Sequence, residues 1–345
     1  MAIAGGGIIG LSAALELASA GLQVTVFEHG RAMAEASSAA AGMLAAGDPE
    51  NPAGLASLAE LSRSLYREFL ADVERLSGER VPIRTTKAIQ GGRRVPDGHS
   101  EISAVKLEEI VPGVNPGQLK FFALEEASLD PRDLARALPK AVRAAGVTLL
   151  EDTEVTAVSE RSGRVEVETS AGQWSAENFV HASGAWSARL TGLPVVPRKG
   201  HIVVVEEPGA AKLKVVLRTP HVYLVPRGDG RIVIGATVED AGFDKQVDED
   251  AIAGLLDAAA ALWPPVREAR RVESWAGLRP AMTDELPAID ACGERCWVAT
   301  GHFRNGILLA PGTARLLREM ILGEQLSVDA AGFRCGRFAA LSVLS

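Results

Sequence analysis

The sequence is poor in cysteine, in excess basic charge and in long apolar runs, and each shortage removes a class of function. Three cysteines, Cys292, Cys296 and Cys335, form neither an obvious set of pairs nor a metal-binding motif, so free thiols in a reducing compartment are expected. There are 36 Lys and Arg against 44 Asp and Glu, a formal charge of −8. The clustered cations that would neutralise a phosphate backbone are missing, which argues against nucleic acid as a partner. No stretch reaches the roughly 18 uninterrupted apolar residues of a membrane span. Residues 1–22 are apolar, but no basic residue precedes the run, Glu16 interrupts it and its glycines have a structural use, so it does not read as a secretion signal. A cytoplasmic protein with a small-molecule substrate and no membrane attachment is expected. Ser/His/Asp and paired-carboxylate constellations are also lacking.

What is present begins at once. Gly5-Gly6-Gly7-Ile8-Ile9-Gly10 is followed by a small-residue amphipathic stretch, then by the apolar run Leu22 to Phe27, closed by Glu28. This order is the footprint of a βαβ unit that holds a dinucleotide. Gly5 permits the tight turn, Gly7 lets the backbone approach a pyrophosphate, Gly10 lets the helix pack close to its strand, and the helix N-terminus faces the phosphates. Glu28 stands where an acid would meet the ribose hydroxyls. Only Met1 to Ala4 precede the first glycine, so the first strand should be unusually short.

At 345 residues and 47% hydrophobic content the chain can bury a large core in one or two domains. Leu11 to Ala20 reads as a helix stopped by Gly21. Arg31 to Ala46, rich in Ala, Ser and Gly, suits backbone lying against something flat. Leu55 to Leu76 reads as a long amphipathic helix, while Val81 to Leu124 loses the helical period and offers short strands such as Lys120 to Leu124. Asp130 caps a helix that has Pro131 at its first position and runs to about Ala145. Short strands follow at Val147–Leu150, Glu154–Glu160, Arg164–Thr169 and Gln173–Ala176, then a buried strand runs into Ser183-Gly184. Pro194–Glu206, Lys214–Pro226 and Arg231–Thr237 alternate like antiparallel strands, with Arg227-Gly228-Asp229-Gly230 as a hairpin turn. A helix from Asp248 to Trp263, strands at Glu268–Trp275 and Cys296–Thr300, and a helix from Asn305 to Leu322 complete the chain. The expected fold is α/β: a Rossmann-like cofactor domain in three pieces (1–80, 129–193, 272–345) with an inserted, mainly antiparallel-sheet substrate domain (81–128, 194–271).

Two arginines stand beside glycines near the end, in Gly277-Leu278-Arg279-Pro280 and Gly301-His302-Phe303-Arg304-Asn305-Gly306. A guanidinium offers a rigid, permanently charged fork that matches a carboxylate; a surface salt bridge is the alternative for each, less so for Arg304 in its glycine-flanked setting.

These motifs, with Ser38-Ala39-Ala40-Ala41-Gly42-Met43-Leu44, Tyr223-Leu224-Val225-Pro226-Arg227, Gly235-Ala236-Thr237 and Trp275-Ala276, together resemble the glycine oxidases of the D-amino-acid oxidase family of FAD-dependent oxidoreductases. The resemblance spans Ile3 to about Gly323 with the motifs in the family's order. It implies that Gly5, Gly7, Ile8, Ile9 and Gly10 meet the FAD diphosphate, Glu28 and His29 the adenosine ribose, and Val155 the adenine. Ser37, Ser38, Ala41, Gly42 and Met43 would lie along the pyrophosphate and flavin, with Gly184 and Trp186 also at the cofactor. His302, Phe303, Arg304, Asn305, Gly306, Ile307 and Leu308 would line the isoalloxazine. Arg279 would clamp the substrate carboxylate with the Tyr223 hydroxyl, Arg304 would stand at the substrate's polar end, and His221 and Met43 would shape the pocket. The implied chemistry is hydride transfer from a small amino acid to the flavin, with O2 reduced to H2O2, and the imine hydrolysed or passed to enzymes of thiamine thiazole synthesis. FAD would be held non-covalently, since no cysteine lies between Arg279 and Ile289, where sarcosine oxidases attach it. A homo-oligomer is implied as well. D-amino-acid oxidation stays open because Ala45 and Ala46 do not reveal the size of the pocket. A dehydrogenase using another electron acceptor, or a flavin-bound subunit without catalysis, are the rivals from other classes.

Overall fold

Ala2–Ala4 forms the centre of a six-stranded sheet, hydrogen-bonded in parallel to Thr25–Phe27 on one side and to Phe179–His181 on the other. Thr148–Leu150 extends the sheet beyond Thr25–Phe27, and Cys296–Thr300 and the antiparallel Ala288–Ala291 extend it beyond Phe179–His181. The computed structural model describes residues 1–161, 163–209 and 212–338; the end of the expected last piece, 339–345, lies outside the described residues.

Period-two alternation divides the strands between two layers. Ile3, Val26 and Val180 point to one face, where they pack with the helices Ile8–Ser19, Ala56–Ser77, Pro131–Ala144 and Gly306–Leu322. Ala2, Ala4, Phe27 and Phe179 point to the other, which is covered by a three-stranded antiparallel sheet, Val155–Arg161, Arg164–Thr169 and Gly172–Ala176. A sheet buried on both faces needs apolar residues at successive positions, and that is why these short strands read as continuous apolar runs. The Asp130 cap is formed as expected, its carboxylate accepting from Arg132 N at 3.0 Å with Pro131 at the first helical position.

The second large sheet has seven strands in the order Arg271–Ala281, Val196–Glu206, Arg231–Gly235, Tyr223–Pro226, Val216–Arg218, Ala88–Gly92, Lys120–Leu124. Val203, Val205 and Ile234 pack under the helix Glu249–Leu262, while Ile202, Val204 and Val233 face the loop that carries Ala41 and Met43. Three expectations are corrected here. Lys214–Pro226 is two antiparallel strands joined by a turn in which Thr219 N donates to Val222 O at 2.8 Å, because Pro220 cannot continue a ladder. The strand expected over Glu268–Trp275 begins at Arg271 and runs on to Ala281, since Val196–Glu206 offers it a partner along its length. The expected return to the cofactor-binding piece at residue 272 falls inside this strand, and the chain rejoins the parallel sheet only at Ala288. Ala104–Ile110 is an unforeseen short helix, capped by Ser103 Oγ and burying only Leu107.

Pro311 sits inside the helix Gly306–Leu322 and has no N–H for the carbonyl of Ile307, four residues back. The buried Tyr66 hydroxyl donates to that carbonyl instead, and Ser62 Oγ accepts from Gly312 N at 2.8 Å. The long helix Ala56–Ser77 therefore fixes the first turn of the helix that faces the main cavity. Tyr66→Phe leaves the carbonyl unpaired in the core and is expected to cost about 1–3 kcal/mol, read as a lower denaturant midpoint at unchanged m-value.

No helix among the described residues is long and apolar enough to cross a membrane.

Candidate active site

A cavity of about 620 Å³ runs from Glu28 at the end of the strand Thr25–Phe27 to Tyr223 and Arg279 on the seven-stranded sheet. At the first end, Gly5 has φ +110°, and a Cβ there would lie 2.3 Å from Ala182 O. Gly7, Ile8 and Ile9 line the cavity. Gly10 does not: it lies behind the turn, where a Cβ would come 1.9 Å from Gly5 O, so it serves the close packing of helix on strand. The N–H of Ile8 is held by Ser37 Oγ at 2.9 Å. The Glu28 carboxylate, buried at the cavity wall, accepts from Gly6 N at 2.7 Å and Gly30 N at 3.0 Å and lies 2.9 Å from His29 Nδ1. The His29 ring is tilted against Trp186, 5.0 Å between centroids, and Val155, Gly184 and Trp186 share that wall.

Along the middle, Ser37, Ala41, Gly42 and Met43 line one side, with Gly42 at φ +80° because a Cβ would meet Leu129 O at 2.1 Å. Ser38 is turned away, its hydroxyl donating to Ala34 O at 3.1 Å. His302, Phe303, Arg304, Asn305, Gly306 and Ile307 also line the cavity and lead into the helix Gly306–Leu322, whose N-terminal N–H groups favour negative charge in front of them. Leu308 instead points into the core behind the parallel sheet.

His302 is a core histidine as well as a cavity wall, with Nε2 3.0 Å from Thr313 Oγ1, and burial pushes its pKa down to about 3. Burial likewise pushes His181 down to about 4. Both are neutral when folded and titrate near 6.5 when unfolded. The unfolded chain therefore binds more protons below about pH 6.5, and their contribution to stability is complete above that pH and lost as pH falls towards the folded values. The denaturant midpoint is expected to fall between about pH 7 and about pH 5, and less steeply in His302→Gln.

Four arginines line the cavity, and their partners set them apart. Arg189 lies 3.8 Å from Glu154, Arg218 lies 2.8 Å from Glu126 and 3.6 Å from Asp48, and Arg304 lies 3.6 Å from Glu50. Arg279 alone has no carboxylate partner among the described residues. Its Nη1 donates to Thr237 O at 3.0 Å, and a Cβ on Gly200 would lie 2.1 Å from the same nitrogen, so that glycine makes the space it occupies. Burial lowers the Arg279 pKa, and the neighbouring Tyr223 hydroxyl is the strongest influence opposing this. Tyr223 is itself raised by burial and held down chiefly by Arg279; Gly235 leaves room for its ring, since a Cβ would come 2.5 Å from the hydroxyl. His221 lines the cavity from the exposed turn before Tyr223, which places it at the mouth. Arg218, Asp48, Glu50 and Gly200 carried no signal in the sequence, because their partners are far along the chain, Arg218 and Glu126 being 92 residues apart.

Residues 1–320 match the family described as DAO, FAD dependent oxidoreductase. The chain is similar to the glycine oxidase of Geobacillus kaustophilus, 34% identical over 98% of this chain and 96% of that one. The crystal structure of glycine oxidase from Geobacillus kaustophilus superposes with a TM-score of 0.91 at 32% identity, covering 97% of this chain and 98% of that one. The chain is also similar to the bifunctional protein ThiO/ThiG of Trichormus variabilis, 37% identical over 97% of this chain and 54% of the relative, so it spans about half the length of that curated protein.

Proposed function

The chain belongs to the DAO family of FAD-dependent oxidoreductases, and from that membership we propose that it oxidises glycine and similarly small amines or D-amino acids, with O2 reduced to H2O2. The residues present fit FAD. The Gly5 and Gly10 cradle brings a helix N-terminus up to the cavity, Ser37 offers a hydroxyl beside it, and Glu28 and His29 stand one strand away. When bound, FAD supplies a two-electron acceptor that takes hydride from the substrate carbon and is reoxidised by O2.

The observation that carries the reading is the pairing of Arg279, the cavity arginine free of carboxylates among the described residues, with Tyr223 at the end of the cavity remote from Glu28. An amino-acid carboxylate supplies the missing counter-charge, with Arg279 as the fork and the Tyr223 hydroxyl as a further donor. Met43 and the 302–307 segment then hold the amine end of the substrate in the middle of the cavity. Orientation and charge complementarity are what the protein contributes, and no general base is required of it. Arg304, held by Glu50, bounds the polar side of the pocket, and His221 stands at the mouth. The imine product is placed in thiamine thiazole synthesis, in keeping with the relative's ThiO/ThiG name, and the assembly is a cytoplasmic homo-oligomer with FAD bound non-covalently.

The test is peroxide release in air by the purified yellow protein with glycine, sarcosine and D-alanine in parallel. Peroxide with glycine at least as efficiently as with D-alanine is the expected result. A clear preference for D-alanine would make the protein a D-amino-acid oxidase, and substrate bleaching of the flavin without peroxide in air would make it a dehydrogenase.

A further inference from the structure

Arg279 has to be held in place before any substrate arrives, and among the described residues it has no acid in contact to hold it. The hydrogen bond that fixes it goes to Thr237 O, at 3.0 Å. Thr237 is in turn fixed through its side chain: Oγ1 accepts from His201 N at 2.9 Å and lies 3.1 Å from His201 Nδ1. The same Nδ1 is 2.9 Å from a carboxylate oxygen of Glu239. The other ring nitrogen, Nε2, accepts from Asp248 N at 3.0 Å, so the ring proton sits on Nδ1 and is directed at Thr237 and Glu239. Glu239 is joined to Lys199 by a pair of backbone bonds, Lys199 N to Glu239 O at 3.0 Å and Glu239 N to Lys199 O at 2.9 Å, which fix the Glu239 end of the Thr237–Glu239 stretch as the bond from His201 N fixes the Thr237 end. The His201 side chain is fully buried, and these groups are its hydrogen-bonding partners among the described residues.

We infer that His201 and Glu239 are positioning residues for the carboxylate clamp: they hold the Thr237 carbonyl where it orients Arg279, and Glu239 supplies an acid behind an arginine that has none in contact. The inference rests on the proposed role of Arg279. Neither residue lines the cavity, so neither touches substrate. The arrangement lets the arginine stay charged and aimed while its front remains open, which a direct ion pair would prevent. A carboxylate placed in contact with Arg279 would compete with substrate; one placed a residue away, through a histidine and a carbonyl, orients it without competing.

The measurement is the dissociation constant of acetate, a carboxylate without an amine, read from perturbation of the flavin absorbance of the holoenzyme, together with KM and kcat for glycine. In Glu239→Gln and in His201→Asn, acetate binding is expected to weaken at least fivefold and KM to rise by a similar factor, with kcat within threefold of the parent and FAD content unchanged. Glu239→Gln keeps the size and shape of a partly exposed side chain, so the measurement survives if the buried His201→Asn fails to fold. The double-mutant cycle with Arg279→Ala decides between positioning and general loosening: in the Arg279→Ala background the Glu239→Gln change should have no further effect on acetate. Unchanged acetate affinity in Glu239→Gln, or an equal loss in both backgrounds, would overturn the inference. If Arg279→Ala itself leaves acetate binding intact, it is the clamp reading that fails.

Discussion

Arg279→Ala is expected to raise the KM for glycine by between thirtyfold and a few thousandfold while the protein still purifies yellow. Truncating one partner of a buried charge pair costs on the order of 2–5 kcal/mol, and about 1.4 kcal/mol is a factor of ten. The loss should fall on substrate binding rather than on folding, because the guanidinium has no carboxylate to abandon among the described residues: what it holds internally is the Thr237 carbonyl. The other cavity arginines give the contrast. Arg304 is more than a third exposed and lies 3.6 Å from Glu50, so Arg304→Ala gives up a contact of the kind that contributes about 0–1 kcal/mol. Arg218→Ala would strand Glu126 in the interior, where burial already pushes its carboxyl up, and should appear as lost stability. Steady-state kinetics and denaturant midpoints of the three variants together test the clamp. A KM for Arg279→Ala within threefold of the parent would remove Arg279 from it.

What could be read beforehand was what depends on neighbours in the chain. The turn at Gly5, the helix behind it and Glu28 follow a spacing set by one strand, one helix and one more strand, so their places are legible within a short stretch of sequence. Asp130 and Pro131 announce their helix for the same reason. At finer grain the sequence is less explicit. Ser37 and Ser38 are chemically identical neighbours, but in the short helix Ala36–Ala39 successive residues turn by about 100°, and only Ser37 reaches Ile8. Ile307 and Leu308 are separated in the same way, one to the cavity and one to the core. Arg279 was singled out in the sequence only through the family resemblance, and what sets it apart physically, the lack of a carboxylate partner among the described residues, was not legible there. That distinction depends on Glu50, Asp48, Glu126 and Glu154 neutralising the other three arginines, and the contact from Arg304 to Glu50 spans 254 residues. Gly200 has no motif around it; its meaning is the space that a side chain from the next strand fills.

Gly10→Ala is expected to give a protein that retains little FAD and unfolds at a lower denaturant concentration, the opposite of what helix propensity alone would bring. Gly10 lies within the helix Ile8–Ser19, and in a helix interior alanine is favoured over glycine by about 0.5–1 kcal/mol. Here the added Cβ would come 1.9 Å from Gly5 O, and a backbone carbonyl cannot swing aside as the end of a side chain can. Relief requires the helix to move off the strand Ala2–Ala4, and that movement withdraws the N–H groups of the first turn from the cavity. Overpacking of this kind costs about 1–3 kcal/mol, which outweighs the propensity gain. Gly254 supplies the control. It is an exposed residue of the helix Glu249–Leu262, and a Cβ added there would meet nothing within 4 Å, so Gly254→Ala should stabilise the protein and leave FAD bound. Flavin content per chain and denaturant midpoint, measured on both variants, separate steric closeness from propensity. A Gly10→Ala protein as yellow and as stable as the parent would mean that the helix does not need its present distance from the strand to hold the cofactor.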